Sequence, residues 1–589
     1  MSDEAPAPNH GFVDSRRLTG ASRWFAGTAI TLTPIGPAAL DAAAHLRWAE
    51  RVAAVARTLG WPDAEPRVVL TAGEALLLAA APEDQLFTAT EISEWAWERS
   101  AAEAGVSGFD LAHDLGVDLV AACAEFARRA ALERRPALAA LRAAAAARSL
   151  PVFSDDDSVS IGAGDGCRVW PLAALPDVSD VPWASLHDVP TALVTGSNGK
   201  TTTVRLIAAM QRAAGRVAGH CSTTGIEVNG QPIASGDYSG PAGARAVLRH
   251  PAVQAAVLET ARGGILRRGL AVARADVAVV TNLSADHFGE YGITSLEDLA
   301  EVKLTVARVL GRHGTLVLNA DDAVLMRAAA ALPHAAAVRH ALFAADHEHP
   351  ALAALRQAGG TTCGVQGAGA SAELLLSEGT ERLHRLGRIA TLPLTLGGAA
   401  RHNIANLAAA ALAAWHLGVP TERIAEVAQR FGADPHDNPG RLERWRHRGV
   451  TVLVDYAHNP DGLARLLDVA RALRPKRLLL LLGQAGNRSD AAIAEMARTA
   501  ARYRPDAVML KDMGPTYLRG RALGEVPALL RQALLGSGLP ALSIDARSDE
   551  TAAALALLAA AMPGDVVVLP VHEDAARAQL VATLAGTSR

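Results

Sequence analysis

Residues 195–203 read Thr-Gly-Ser-Asn-Gly-Lys-Thr-Thr-Thr and directly follow the apolar run 192–194. An apolar strand, a glycine loop and a helix start in this order form a phosphate cradle. Glycines let backbone N–H groups wrap an anion at the helix N-terminus, where the helix dipole favours negative charge. Gly196, Ser197, Asn198 and Gly199 supply the loop, Lys200 can reach the outer phosphates of a nucleotide, and the Thr201 hydroxyl is placed to ligate magnesium, with Thr202 beside it. The common phosphate loop has four residues between its glycines; here two separate Gly196 from Gly199. A structural turn capped by threonine is the alternative, and the flanking strand and helix favour the phosphate site.

Two further segments follow apolar runs. Leu258-Glu259-Thr-Ala-Arg262-Gly263-Gly264 follows the run 255–258, and Thr281-Asn282-Leu-Ser-Ala-Asp286-His287 follows 277–280. In a parallel sheet both would sit at the carboxyl ends of strands, the edge where ligands bind. A Glu and a His there can hold a magnesium ion that offsets charge on a transferring phosphoryl group. Taken singly, such residues are more often surface or helix-cap groups. Lys303 lies sixteen residues after His287 on a predicted helix, where a solvated lysine is the bland alternative. Arg401-His402-Asn403-Ile-Ala-Asn406 opens an alanine-rich helix, where an Asn could simply be the N-cap.

The elements that must position these groups are legible as alternation. Short apolar runs at 192–194, 255–258, 277–280 and 315–318 alternate with helical stretches, the signature of a parallel sheet covered by helices. A second set, 452–454, 478–482, 507–510 and 566–569, predicts another α/β domain. Upstream, strand-like pieces at 67–70 and 76–80 and helices over 91–104, 117–135 and 137–148 predict an α+β domain, with Pro136 breaking the last two helices apart. The alanine-rich run 138–147 resembles low complexity, but alanine's helix propensity makes a packed helix the simpler account. Residues 155–190, rich in Gly, Pro, Ser and Asp, are expected to be connecting structure. The expected boundaries are a disordered tail at 1–15, an N-terminal α+β domain and linker at 16–185, a central domain at 186–438 and a C-terminal Rossmann-like domain at 439–589.

At 589 residues, the chain exceeds what one core supports. A net charge of −4 gives no general attraction to nucleic acid or anionic membrane, although the basic cluster 441–448 could serve small anions. No apolar run is long enough to span a bilayer. The four scattered cysteines form no CxxC or Cys/His cluster, so neither a zinc site nor a disulfide framework is expected, and the expected location is the cytoplasm.

The shortened loop GSNGKTTT resembles the phosphate loop of the Mur ligases and folylpolyglutamate synthetases. The Glu259 and His287 segments, Asn403 and Asn406, Asn438-Pro-Gly-Arg441 and Asp455-Tyr-Ala-His458-Asn459-Pro460 are similar to successive Mur ligase motifs. The resemblance implies a central ATP-binding Mur domain followed by a C-terminal Mur domain. It also implies ATP and Mg2+ as cofactors, and an amide bond made through an acyl phosphate with release of ADP and phosphate. It places Thr201, Glu259 and His287 on magnesium, with Lys303 as the lysine many Mur ligases carry as a carbamate. Asn403 and Asn406 would lie near adenine, Arg441 on phosphate, Asp455 on ribose and His458 at the cleft. Asn319-Ala-Asp321-Asp322 resembles a mainly structural family turn.

Glu259-Thr-Ala-Arg262-Gly263-Gly264 and Gly236-Asp237-Tyr-Ser-Gly-Pro241 narrow the resemblance to the Mur-like half of cyanophycin synthetases, as do Lys511-Asp512-Met and Tyr517-Leu-Arg519-Gly-Arg521. Those enzymes attach arginine to aspartyl side chains. The implied partners are a small-molecule or peptide carboxylate acceptor and an amino acid, with Arg262, Gly263, Gly264, Asn459, Arg488 and Arg519 near them; a homodimer or tetramer is implied likewise. Asn487 stands where the family's loop usually has aspartate. Only 195 residues precede Gly196, too few for an N-terminal domain plus the ATP-grasp module of those enzymes, so a single amide-forming activity is expected. The alternatives are a ligase acting on a cell-wall or polyglutamate precursor, or an inactive nucleotide-binding scaffold that partners a polymer enzyme.

Overall fold

The computed structural model describes residues 11–586 except 62–63, 72, 107–114, 116–117, 286–287, 289 and 334–337. Two compact units are present. The first takes in the chain up to Gly196, then Gly215–Leu318 and Asp322–His340; the second comprises Ser197–Ala214, Asn319–Asp321 and Ala341–Arg589.

The first unit opens with an antiparallel sheet, β1 (Phe12–Leu18), β2 (Ala29–Pro34), β3 (Arg67–Thr71) and β4 (Glu74–Ala80), in the order β1-β2-β4-β3. Phe12–Leu18 pairs with β2, so the strand starts inside the stretch that composition assigns to a tail. Helices Ala42–Thr58, Leu86–Glu103 and Leu119–Glu133 contribute Trp48, Trp95, Trp97 and Phe126 to a buried aromatic core. The indole N–H of Trp48 is satisfied by the Ser93 carbonyl and hydroxyl, which is what allows so large a polar-tipped ring to be buried. Pro136 occupies the first turn of the helix Pro136–Ala146 and separates it from Leu119–Glu133, as its missing N–H requires.

Residues 155–190 are more than a linker. β5 (Val152–Ser154), β6 (Ser158–Ile161) and β7 (Arg168–Pro171) form a small antiparallel sheet. Arg249 pins it, donating to the Ser160 hydroxyl and the Phe153 carbonyl, each at 3.0 Å, and pairing with Asp155.

The sheet that follows contains β8 (Thr191–Thr195), β9 (Ala218–Ser222), β10 (Gly225–Val228), β11 (Gln231–Ser235), β12 (Ala255–Glu259), β13 (Ala275–Val280) and β14 (Leu310–Asn319), ordered β11-β10-β9-β12-β8-β13-β14. β9, β12, β8, β13 and β14 run parallel, while β10 and β11 are antiparallel additions at one edge. Burial on both faces explains why the parallel strands read as unbroken apolar runs.

In the second unit, helix Lys200–Ala213 packs against helices Arg401–His416 and Thr421–Arg430. Residues 407–414, every one alanine or leucine, are buried. Strands β15 (Arg339–Asp346), β16 (Thr361–Gln366), β17 (Glu373–Glu378) and β18 (Arg382–Arg388) lie in that order. The C-terminal sheet comprises β19 (Glu443–His447), β20 (Val450–Asp455), β21 (Leu478–Leu482), β22 (Ala507–Lys511), β23 (Ile544–Arg547) and β24 (Val566–Pro570). Its order is β19-β20-β24-β21-β22-β23, and all but β19 run parallel. No described helix is long and apolar enough to cross a membrane.

Candidate active site

The phosphate loop has the backbone its glycines permit. Gly199 caps the Lys200 helix at φ +84°, and a Cβ there would lie 2.1 Å from the Asn406 side-chain oxygen. Gly196, at φ +146°, would place a Cβ 1.8 Å from the Thr281 hydroxyl. Neither position accepts a side chain without displacing a neighbour. The Lys200 Nζ donates to the Ser197 carbonyl at 3.1 Å, while Ser197, Thr201 and Thr202 are buried. A glycine-capped helix of fourteen residues led by lysine and threonine fits a polyphosphate.

Within the second unit, side-chain amides tie this loop to the turn after β20. Asn198 Nδ2 donates to Asp461 at 2.8 Å, and Asn459 Nδ2 donates to the Asn198 oxygen at 3.1 Å. Asn459 also caps the helix Pro460–Ala472, accepting from Gly462 N–H at 2.8 Å. Asn438 donates to the Thr202 hydroxyl and to the Arg441 carbonyl, both at 3.1 Å. Arg441 donates to the Thr201 hydroxyl at 3.3 Å and stacks on Tyr456 with its guanidinium 4.5 Å from the ring centroid. Asp455, the last residue of β20, accepts from Leu442 N–H at 2.6 Å; burial raises its carboxyl and the Arg441 charge opposes that.

Ala400, not an asparagine, is the N-cap of the Arg401 helix, so capping does not account for either Asn. Asn403 donates to the Leu394 carbonyl at 3.2 Å and accepts from Asn406 at 3.1 Å, which aims the Asn406 oxygen at Gly199. His458 Nδ1 faces the Tyr456 carbonyl at 3.2 Å and carries a proton there, since that carbonyl can only accept. Arg519 is exposed in a left-handed conformation and Arg488 is half-buried. Their neighbour Arg521 braces the 483–490 loop, donating to the Gly486 and Arg488 carbonyls at 2.9 Å and pairing with Asp490.

In the first unit, Glu259 ends β12 and is 1% exposed. Burial and the Glu259 charge together push the thiol of Cys221, on the adjacent β9, upward. Ala261 N–H donates to the Ser239 carbonyl at 2.9 Å, and a Cβ on Gly264 would lie 3.3 Å from the Gly240 Cα. The Glu259–Gly264 and Gly236–Pro241 segments are therefore one packed structure, in which Gly263 lies under Arg267. Arg262 is paired with Glu290. Lys303 is 3% exposed on the helix Leu296–Leu304, so it is not a solvated helix lysine. Asp322 accepts from Leu283 N–H at 2.7 Å and caps Ala323–Ala330, a structural task. Arg16 donates to the Leu266 carbonyl at 2.9 Å, so the N-terminal sheet contacts the helix Arg262–Arg268.

His287 lies outside the described residues. Among the described residues no group of three or more His, Cys, Asp or Glu side chains is set to hold a metal ion. The Thr201 hydroxyl and Glu259 carboxylate are oxygen donors of the kind magnesium takes while keeping much of its water.

Asn438 and Arg521 stand inside quoted motifs that give them no role, and Asp461 directly follows one; no local signal marks the bonds they make. Lys511 belongs to a quoted run, but no local pattern announces its buried partners Glu550 and His572.

Two families match the chain. The family described as "Mur ligase middle domain" matches residues 194–414, and that described as "Mur ligase, glutamate ligase domain" matches residues 440–570. The chain is 36% identical over 404 residues to a cyanophycin synthetase of Synechocystis sp., taking in 67% of this chain and 45% of that protein. A cyanophycin synthetase of Trichormus variabilis is also 36% identical, over 68% of this chain and 43% of its own length. A UDP-N-acetylmuramyl-tripeptide synthetase of Leifsonia xyli is 29% identical over 72% of this chain and 79% of its own. The chain thus spans less than half the length of the cyanophycin synthetases it matches.

Proposed function

Because this chain belongs to the Mur ligase family, carrying both its middle and its glutamate ligase domains, we propose that it is an ATP-dependent amide-bond ligase of cyanophycin synthetase-like type. A carboxylate oxygen of the acceptor attacks the γ-phosphorus of ATP, giving an acyl phosphate and ADP. The amine of an amino acid then attacks the acyl carbon, and phosphate leaves. The observation that carries this proposal is the glycine loop: two glycines that admit no side chain, Lys200 at the helix start, and the Asn459–Asn198–Asp461 chain binding the loop to the turn after β20.

In this scheme Lys200 offsets charge on the outer phosphates and the loop N–H groups orient them. Asp455 takes the ribose, Asn403 and Asn406 lie by the adenine, and Arg441 contacts phosphate. Thr201, Glu259, His287 and Lys303 would hold magnesium, which would supply positive charge to the phosphoryl oxygens. Arg262, Gly263 and Gly264 serve the acceptor. His458, Asn459, Arg488 and Arg519 face the incoming amino acid. Arginine or lysine is the favoured amino acid and an aspartyl peptide the favoured acceptor, following the motif resemblance of the Glu259–Gly264 segment. The protein acts in the cytoplasm as a homodimer or tetramer.

The test is phosphate release from ATP and magnesium with amino acids paired against carboxylate acceptors, including aspartyl peptides. Release that needs both partners, a product whose mass is that of the amide, and loss of both in Lys200→Ala is the expected outcome. Nucleotide binding with no turnover for any pair would overturn the ligase proposal in favour of a scaffold.

A further inference from the structure

Lys511, the last residue of β22, has 0% of its side chain exposed. A buried ammonium is costly unless its charge and its donors are satisfied. Its Nζ pairs with Glu550, donates to the Pro570 carbonyl at 2.6 Å and reaches His572 Nδ1 at 3.1 Å. Glu550 accepts in addition from the N–H groups of His572, at 3.0 Å, and Glu573, at 2.8 Å. Burial alone would raise Glu550, but the Lys511 charge and the His572 contacts outweigh it and hold the carboxyl at about 2.

The cation dictates the His572 tautomer. An ammonium only donates, so Nδ1 must accept and the ring proton must sit on Nε2. Nε2 faces the Ala457 carbonyl at 3.2 Å, and that carbonyl can only accept. Burial and the Lys511 charge push His572 down to about 4, so the ring is neutral, as this arrangement requires.

Ala457 is the middle of the turn 455–459. Asp455 lies at one end of that turn and Asn459, bonded to Asn198 of the phosphate loop, at the other. Tyr456 meets His572 edge-on at 5.1 Å while Arg441 lies over its ring. We propose that Lys511, Glu550 and His572 are a positioning set: together they fix the turn 455–459, so that Asn459 and Asp461 hold the phosphate loop in its nucleotide-binding geometry. The proposal rests on the phosphate-site assignment of that loop.

A purely structural role makes a different prediction. Replacing a buried ion pair by apolar residues of similar volume is often neutral for stability, and restored stability should then restore nucleotide binding. If the set positions the turn, binding stays weak even when stability is kept, because the Nε2 tautomer is no longer enforced. The full-length protein, with Lys511→Met and Glu550→Leu combined and separately with His572→Phe, is titrated with magnesium and a non-hydrolysable ATP analogue, and each variant's melting temperature is recorded. Analogue binding is expected to weaken about tenfold in both, as loss of positioning predicts, with the double variant melting close to wild type. Wild-type-like melting with binding within about twofold of wild type overturns the inference. If the double variant does not fold, His572→Phe decides by the same criterion. Wild-type protein that binds no analogue overturns the phosphate-site assignment and this inference with it; equal binding by wild type and variants overturns the inference alone.

Discussion

Lys200 and Lys511 carry the same ammonium and sit in the same topological place, just beyond or at the carboxyl end of a parallel strand. Their surroundings differ in every other respect. Lys200 is half-buried at a helix mouth, and a contact that places it, to the Ser197 carbonyl, comes from three residues away. Lys511 is wholly buried, and its partners Glu550, Pro570 and His572 lie 39, 59 and 61 residues further on. A lysine kept near solvent can meet a charged ligand. One enclosed by protein must be neutralised by it, so its work is confined to holding other groups in place.

The largest effect should come from splitting the buried pair. Glu550→Gln leaves Lys511 charged without its anion, and urea unfolding should show a loss of about 3–5 kcal/mol. Lys200→Ala should do the converse: phosphate release falls roughly 10²–10³-fold, as when a charge-stabilising donor is removed, while the melting temperature barely moves. If both variants lose stability equally, the contrast between the two lysines fails.

Acid should expose the enclosed region next. Burial, reinforced by nearby cations, holds His402 and His572 at about 4, against an ordinary 6.5. The unfolded chain therefore takes up these protons first, and stability is lost as pH falls from 6.5 towards 4, on the order of a few kcal/mol. Glu550 works in a lower window: with its folded value at about 2 against 4.5, its contribution persists until pH drops below 4.5. Unfolding midpoints compared at about pH 7 and about pH 4.5 should show the first loss, and His572→Phe should shrink it.

A smaller change is expected at Asn198→Ala. Losing its bonds to Asn459 and Asp461 should raise the KM for ATP about fivefold, roughly one net hydrogen bond, with kcat less affected. Smallest of all is Asn487→Asp. The side chain is exposed, so activity and stability should stay within about 0.5 kcal/mol of wild type. A large gain in ligase rate would instead mark position 487 as a charge-dependent part of the site.

What the sequence disclosed follows from range. The parallel strands β8, β12, β13, β20, β21, β22 and β24 were legible because burial on both faces leaves a run of apolar residues in each. The glycine turn between β8 and the Lys200 helix was legible because nine consecutive residues carry it. β5, β6 and β7 were not, since each has three or four residues, too few to show alternation, and Arg249 holds them from far along the chain. β1 escaped for a related reason: Phe12–Leu18 is an edge strand of mixed polarity. In the candidate site each motif announced its own residues. Asn198 bonded to Asn459 across 261 positions, or Lys303 enclosed rather than solvated, depends on how distant segments meet.

The alanine-rich stretch 407–414, buried in the helix that packs on the Lys200 helix, has a consequence of another kind. Its residues carry no chemistry of their own. Yet interiors are packed to near crystalline density, and each methyl group here sets how far apart two helix backbones stand. The tract is a spacer with a thickness of one methyl group. Drift from alanine to valine there would leave every chemical motif intact and still move the floor beneath the phosphate loop.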